Sequence, residues 1–96
     1  MIFDFHYRRQ AEKFIEANSH RATIDDWERE IASAIRKIRK IEDNSTDVIK
    51  MTGKEWQGFW RVRIGGMRAI FRFEGTDSID VFVDRIEFRG QAYRRL

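Results

Sequence analysis

The feature that most constrains this chain is the stretch from Trp60 to Phe73, WRVRIGGMRAIFRF, in which two alternating runs meet at Gly65-Gly66. A glycine pair between such runs marks a two-residue β-hairpin, because tight hairpin turns demand a positive φ that other residues resist. With the glycines as the whole loop, Ile64 falls opposite Met67, Arg63 opposite Arg68, Val62 opposite Ala69 and Trp60 opposite Phe71. Side chains alternate faces along a strand. One face therefore carries Trp60, Val62, Ile64, Met67, Ala69, Phe71 and Phe73, and the other Arg61, Arg63, Arg68 and Arg72, with Ile70 its one apolar member. Like charges directly opposite each other cost roughly 0.2–1 kcal/mol per pair. An anion over the arginine face would offset that repulsion, so the hairpin reads as a phosphate-binding surface.

The charge distribution supports this reading. The formal net charge is +3; residues 1–59 balance at 11 Lys/Arg and 11 Asp/Glu, whereas residues 60–96 hold 8 Arg, no Lys and 5 Asp/Glu. The whole excess thus sits in the hairpin half, and it is all arginine, whose planar fork grips phosphate through two hydrogen bonds and stacks on bases. With no cysteine in the chain, disulfides, thiolate metal sites and thiol nucleophiles are excluded, which fits a cytoplasmic location. The start, MIFDFHYRR, lacks the long apolar run of a signal peptide or a membrane span.

In chain order, Ile2 to Tyr7 alternates Phe3, Phe5 and Tyr7 against Ile2, Asp4 and His6, as a strand does. Ala11, Phe14 and Ile15 mark a short helix from Arg8 to about Asn18. Thr23 is a candidate N-cap for a second helix whose apolar face is Ile24, Trp27, Ile31, Ala34, Ile35, Ile38 and Ile41. Acidic residues crowd its start and the basic run IRKIRK its end, an order that suits the helix dipole, so this run reads as a solvated helix end. Glu42 to Asp47 reads as a polar loop and Val48 to Gln57 as a connector to the hairpin. A last strand, Ser78 to Phe88, places Ile79, Val81 and Val83 on one face and Phe82, Ile86 and Phe88 on the other, which suggests a central strand. The expectation is a single α+β domain over residues 1–96, in the order β-α-α-β-β-β. Two helices would pack on the apolar face of a mostly antiparallel, twisted sheet of about four strands, leaving the arginine face open.

No nucleotide-binding loop, zinc-protease or nucleophile-elbow motif is present. His6 and His20 stand alone, and Asp80, Asp84 and Glu87 have no metal-ligand spacing, so neither a metal nor a small-molecule cofactor is expected. Arginines make poor bases, but they can neutralise charge growing on a phosphoryl group. RNA carries its own nucleophile, the 2′-hydroxyl. An arginine site could therefore cleave RNA without a metal, or simply bind phosphate or an acidic protein.

The order β-α-α, then WRVRIGGMRAIFRF, then VFVDRIEFRGQAYRRL resembles the RelE/ParE superfamily of type II toxin–antitoxin toxins over nearly the full chain. Trp60, Arg61, Arg63, Gly65-Gly66, Arg68, Arg89 and Tyr93 stand where that family has its aromatic, basic, glycine, arginine and late arginine–tyrosine positions. The resemblance implies a RelE-like endoribonuclease that cuts mRNA in the ribosomal A site by 2′-hydroxyl attack and is held in check by a cognate antitoxin. It implies that Arg61 and Arg63 hold the RNA backbone, joined from the hairpin reading by Arg72. It further implies that Arg68 and Arg89 stabilise the transition state and that Tyr93 stacks on or orients the nucleotide. Lysines are common in the family where this chain has Arg61 and Arg63, and a histidine where it has Phe88, so the general base is left unassigned, with Tyr93 the candidate. The alternatives are a ParE-like toxin that binds and inhibits DNA gyrase, and a non-catalytic antitoxin-binding module.

Overall fold

The architecture was read from a computed structural model, which describes residues 1–90. The elements are β1 (Ile2–Tyr7), α1 (Arg9–Ala17), α2 (Ile24–Ile38), β2 (Val48–Lys50), a 3-10 turn (Lys54–Trp56), β3 (Trp60–Ile64), β4 (Met67–Glu74) and β5 (Ser78–Phe88). The strands form one sheet in the order β1-β5-β4-β3-β2, antiparallel except where β1 runs parallel to β5. Among the described residues there are five strands rather than about four. The addition is β2, three residues long, from the stretch read as a connector; it pairs Val48 with Val62, Ile49 with Arg61 and Lys50 with Trp60. Because β1 and β2 lie at opposite edges, the intervening chain must cross the sheet, and α1 and α2 make that crossing on one face.

The hairpin has the register its glycines dictate: Ile64 with Met67, Arg63 with Arg68, Val62 with Ala69, Arg61 with Ile70 and Trp60 with Phe71. Of the two loop residues only Gly65 has positive φ, at 57°, as a type II′ turn requires at its first loop position. Val62, Met67, Ala69 and Phe71 are buried with Trp27, Ile31, Ala34 and Ile35 of α2, and Trp60, Ile64 and Phe73 pack at the margin. α2 begins with a reciprocal cap: Thr23 Oγ1 accepts from the Asp26 amide at 3.2 Å, and the Thr23 amide donates to Asp26 Oδ2 at 2.8 Å. That cap satisfies two of the amides a helix start leaves without partners. The Tyr7 hydroxyl donates to Glu28 at 2.5 Å and ties α2 to the edge strand. Burial and the Glu28 carboxylate both push the Tyr7 phenol well above its ordinary pKa.

β5 is central, but its two faces differ from simple alternation. Ile70 pairs with Arg85 and Phe71 with Val83, so Asp84 is an extra residue in the ladder, a β-bulge. The bulge resets the parity. Ile86 and Phe88 join Ile79, Val81 and Val83 on the helix face, and of the apolar residues from Ile79 to Phe88 only Phe82 points away. β1 stops pairing at Tyr7 with Val83, so the later β5 backbone needs another partner on that side. Gln10 in the first turn of α1 supplies it, donating to the Ile86 carbonyl at 2.7 Å and accepting from its amide at 2.9 Å.

The turn from β4 to β5 is sterically fixed. Gly75 has φ +106°, and a Cβ there would lie 2.1 Å from the Ser78 carbonyl oxygen. Gly75→Ala should therefore lower stability by at least about 1–3 kcal/mol in urea denaturation, whereas an unchanged midpoint would show that this turn does not constrain the β4–β5 pair.

Candidate nucleic-acid interface

The sheet face away from the helices carries the arginines, but it is not fully open. Ile70 is only 1% exposed and Arg61 5%. The segment leading into β3 accounts for part of this, since its Trp56 ring lies 5.9 Å from the Arg85 guanidinium and 5.4 Å from the Phe59 ring. The four hairpin arginines therefore do not form one continuous surface. Arg72 lies four residues along β4 from Arg68, about 13 Å. Its guanidinium stacks 4.2 Å from the Phe82 ring and borders a cavity of about 180 Å³ that His6, Arg8, Phe59 and Asp84 also line.

Arg61, Arg63, Arg68 and Arg89 do come together, around the hairpin end. The Arg89 amide donates to the Gly66 carbonyl at 2.6 Å, which places Arg89 beside the turn. Two carboxylates enter the same cluster. Glu87, directly across from Arg68 on β5, accepts from Arg68 Nε at 2.8 Å and lies 2.6 Å from Nη2. Asp47 accepts from Arg61 Nη1 at 3.1 Å and lies 3.9 Å from Arg63.

Asp47 reaches this place because the loop before it is clamped onto α2. The Thr46 hydroxyl lies 2.6 Å from that of Ser33, Lys37 donates to the Thr46 carbonyl at 2.9 Å, and Asn44 donates to the Ser33 carbonyl at 3.2 Å. The same contacts explain most of the IRKIRK run. Lys37 holds the loop, Arg36 pairs with Glu42 at 3.3 Å and Arg39 lies 5.1 Å from the Phe73 ring.

Within the cluster Arg63 is the residue left short of partners. Its Nε is buried and has no hydrogen-bond partner among the described residues. Burial, then repulsion from Arg61, Arg89 and Arg68, holds its guanidinium below its ordinary pKa, with Asp47 opposing. A cation destabilised by neighbouring cations is one that an incoming anion stabilises, so this end of the hairpin is built to receive negative charge. Tyr93 lies outside the described residues. Asp47 and Glu87 escaped the reading of the sequence, where one sits in a polar loop and the other on a strand with no motif.

The two carboxylates make site and stability interdependent. Removing Arg68 leaves Glu87, whose side chain is 14% exposed, with Arg85 at 3.8 Å as its remaining ion-pair partner among the described residues. Arg68→Ala should thus cost about 1–3 kcal/mol by urea denaturation. A change below about 0.5 kcal/mol would show that the pair does not support the fold.

No protein-family model matches the chain, and no curated protein matches it in sequence. Solved structures do match in shape. A YoeB/ParE toxin from Agrobacterium tumefaciens superposes with a TM-score of 0.60 at 17% identity, over 90% of this chain and 98% of the other. A copper-bound mutant toxin from Helicobacter pylori gives 0.61 at 14%, over 95% and 98%. The E. coli DinJ-YafQ toxin-antitoxin complex gives 0.57 at 16%, over 96% and 97%. At these identities the likeness is one of fold, and it spans each chain nearly end to end: this chain has the RelE/ParE-like toxin fold.

Proposed function

We propose that the chain is the toxin of a type II toxin–antitoxin pair, acting in the cytoplasm as an endoribonuclease on mRNA in the ribosomal A site. The observation that carries this reading is the pair Arg63 and Arg68, forced opposite each other beside Arg61 and Arg89, with Arg63 Nε buried and without a hydrogen-bond partner among the described residues. The fold shared with solved toxins supports it, as does the toxin–antitoxin complex among them.

In this mechanism the scissile phosphate sits over Arg63 and Arg68. The 2′-hydroxyl attacks the adjacent phosphorus, the bond to the 5′-oxygen breaks as that oxygen takes a proton from solvent water, and the products are a 2′,3′-cyclic phosphate and a 5′-hydroxyl. Arg63, Arg68 and Arg89 neutralise the charge that builds on the phosphoryl oxygens, the largest contribution such groups make. Asp47, paired with Arg61 but at 54% side-chain exposure, is the carboxylate within reach of substrate that takes the 2′-hydroxyl proton, whereas Glu87 is enclosed with Arg68. Arg61, almost fully buried, positions Asp47 rather than gripping RNA itself. Tyr93 stacks on or orients the nucleotide. Arg72 contacts RNA away from the scissile bond, on its own part of the sheet, and no metal or small-molecule cofactor enters any step. A cognate antitoxin, acidic where it meets this cluster, silences the site by occupying it.

Mapping mRNA ends after brief expression tests this directly. The parent should produce new ends within translated messages. Arg63→Ala and Arg68→Ala should each reduce cleavage about 10²–10³-fold, and Asp47→Asn, which removes the proton acceptor, should slow it about 10²–10⁴-fold. Folding of each variant is checked by its melting transition. Intact mRNA together with DNA cleavage complexes would establish the gyrase-directed alternative instead, and the absence of growth arrest would establish a non-catalytic module.

A further inference from the structure

At the opposite end of the sheet from the arginine cluster, the parallel pairing of β1 with β5 sets Asp4 directly beside Asp80. His6, two residues on from Asp4, shares their face. His6 Nε2 lies 3.1 Å from Asp80 Oδ1 and 3.6 Å from Asp4 Oδ2. The His6 ring is held by stacking on Phe82, with centroids 5.0 Å apart and planes 17° from parallel. Two carboxylates side by side on neighbouring strands repel each other, and here both converge on one imidazole nitrogen. One donor atom from each of the three residues lies within 4.8 Å of the other two. Donors bound to a single zinc-sized ion stand up to about 4 Å apart, a gap that rotation of the exposed carboxylates closes, Asp4 being 73% exposed.

We propose that Asp4, His6 and Asp80 form a binding site for a divalent transition-metal ion of the zinc class. One imidazole nitrogen and two carboxylate oxygens serve as ligands, and the remaining positions are open to solvent. The imidazole selects against magnesium and calcium, which prefer all-oxygen sets, and in favour of zinc, cobalt, nickel or copper. The bound ion clips the edge strand β1, the first of the chain, onto the central strand β5. Asp80 pairs with Glu74 and Glu87 with Arg68, so six residues of β4, roughly 20 Å, separate this site from the arginine cluster. The two sites therefore stand or fall separately.

Calorimetric titration of the chelator-treated chain with zinc chloride, alongside thermal melts with and without zinc, tests the proposal. One ion should bind per chain, and zinc should raise the melting temperature while magnesium at the same concentration does not. His6→Gln, Asp80→Asn and Asp4→Asn should each weaken binding at least about tenfold, with metal-free melting temperatures close to the parent's. His20→Gln, which removes the chain's other histidine, should bind zinc as the parent does. The proposal is overturned if the parent takes up no zinc, if either His6→Gln or Asp4→Asn binds as tightly as the parent, or if the loss follows His20. Asp4, as the most exposed of the three, gives a clean answer even if a change at His6 disturbs its stacking on Phe82.

Discussion

The interaction on which the candidate site depends is the cross-strand juxtaposition of Arg63 and Arg68. It follows from the two-residue turn at Gly65-Gly66 together with burial of the alternate residues. A slip of one residue would carry Val62, Ala69 and Phe71 out of the core and the arginines into it. The register is therefore held by the hydrophobic effect: fully burying a side chain of this kind is worth about 1.5–3 kcal/mol. That outweighs the repulsion of one facing arginine pair, roughly 0.2–1 kcal/mol. The core dictates the geometry and the charge repulsion follows from it.

The chain relieves part of that repulsion internally. Glu87 meets Arg68 from the next strand and Asp47 meets Arg61 from a loop clamped to α2. Arg63 is left under-compensated, next to the most exposed carboxylate of the cluster. This division suits phosphoryl transfer. In the proposed mechanism the paired charges would be held still before substrate arrives, while the Arg63 donor, without a partner among the described residues, would gain its full interaction only when an anion is present. Association driven by such charges weakens steeply with salt.

What was legible in the sequence was what local chemistry decides. The hairpin register, the Thr23 cap and the α2 face from Trp27 to Ile38 follow from residues a few positions apart, whereas Ile24 and Ile41, placed on that face by spacing, are exposed, and Ile41 lies beyond the end of α2. β2 was missed because three residues with Ile49 and Lys50 exposed show no alternation. The faces of β5 were misassigned because the extra residue at Asp84 leaves no mark on composition, and only the core shows that Ile86 turns inward. The open arginine face was an overstatement for a related reason. Which loop folds over a sheet depends on contacts far apart in the chain, as between Trp56 and Arg85. Asp47 with Arg61, Glu87 with Arg68, and above all Asp4 and His6 with Asp80 are brought together by strand order, which no spacing rule reveals.

The most direct test of the arginine cluster is a nuclear magnetic resonance titration of the chain with a short RNA whose 2′-hydroxyls are methylated, so that it binds without being cut. The Nε–Hε signals of Arg63 and Arg68 should move first and together, and added salt should reverse the change. Binding that leaves Arg63 unmoved, or no binding at all, would contradict a phosphate seat at the hairpin.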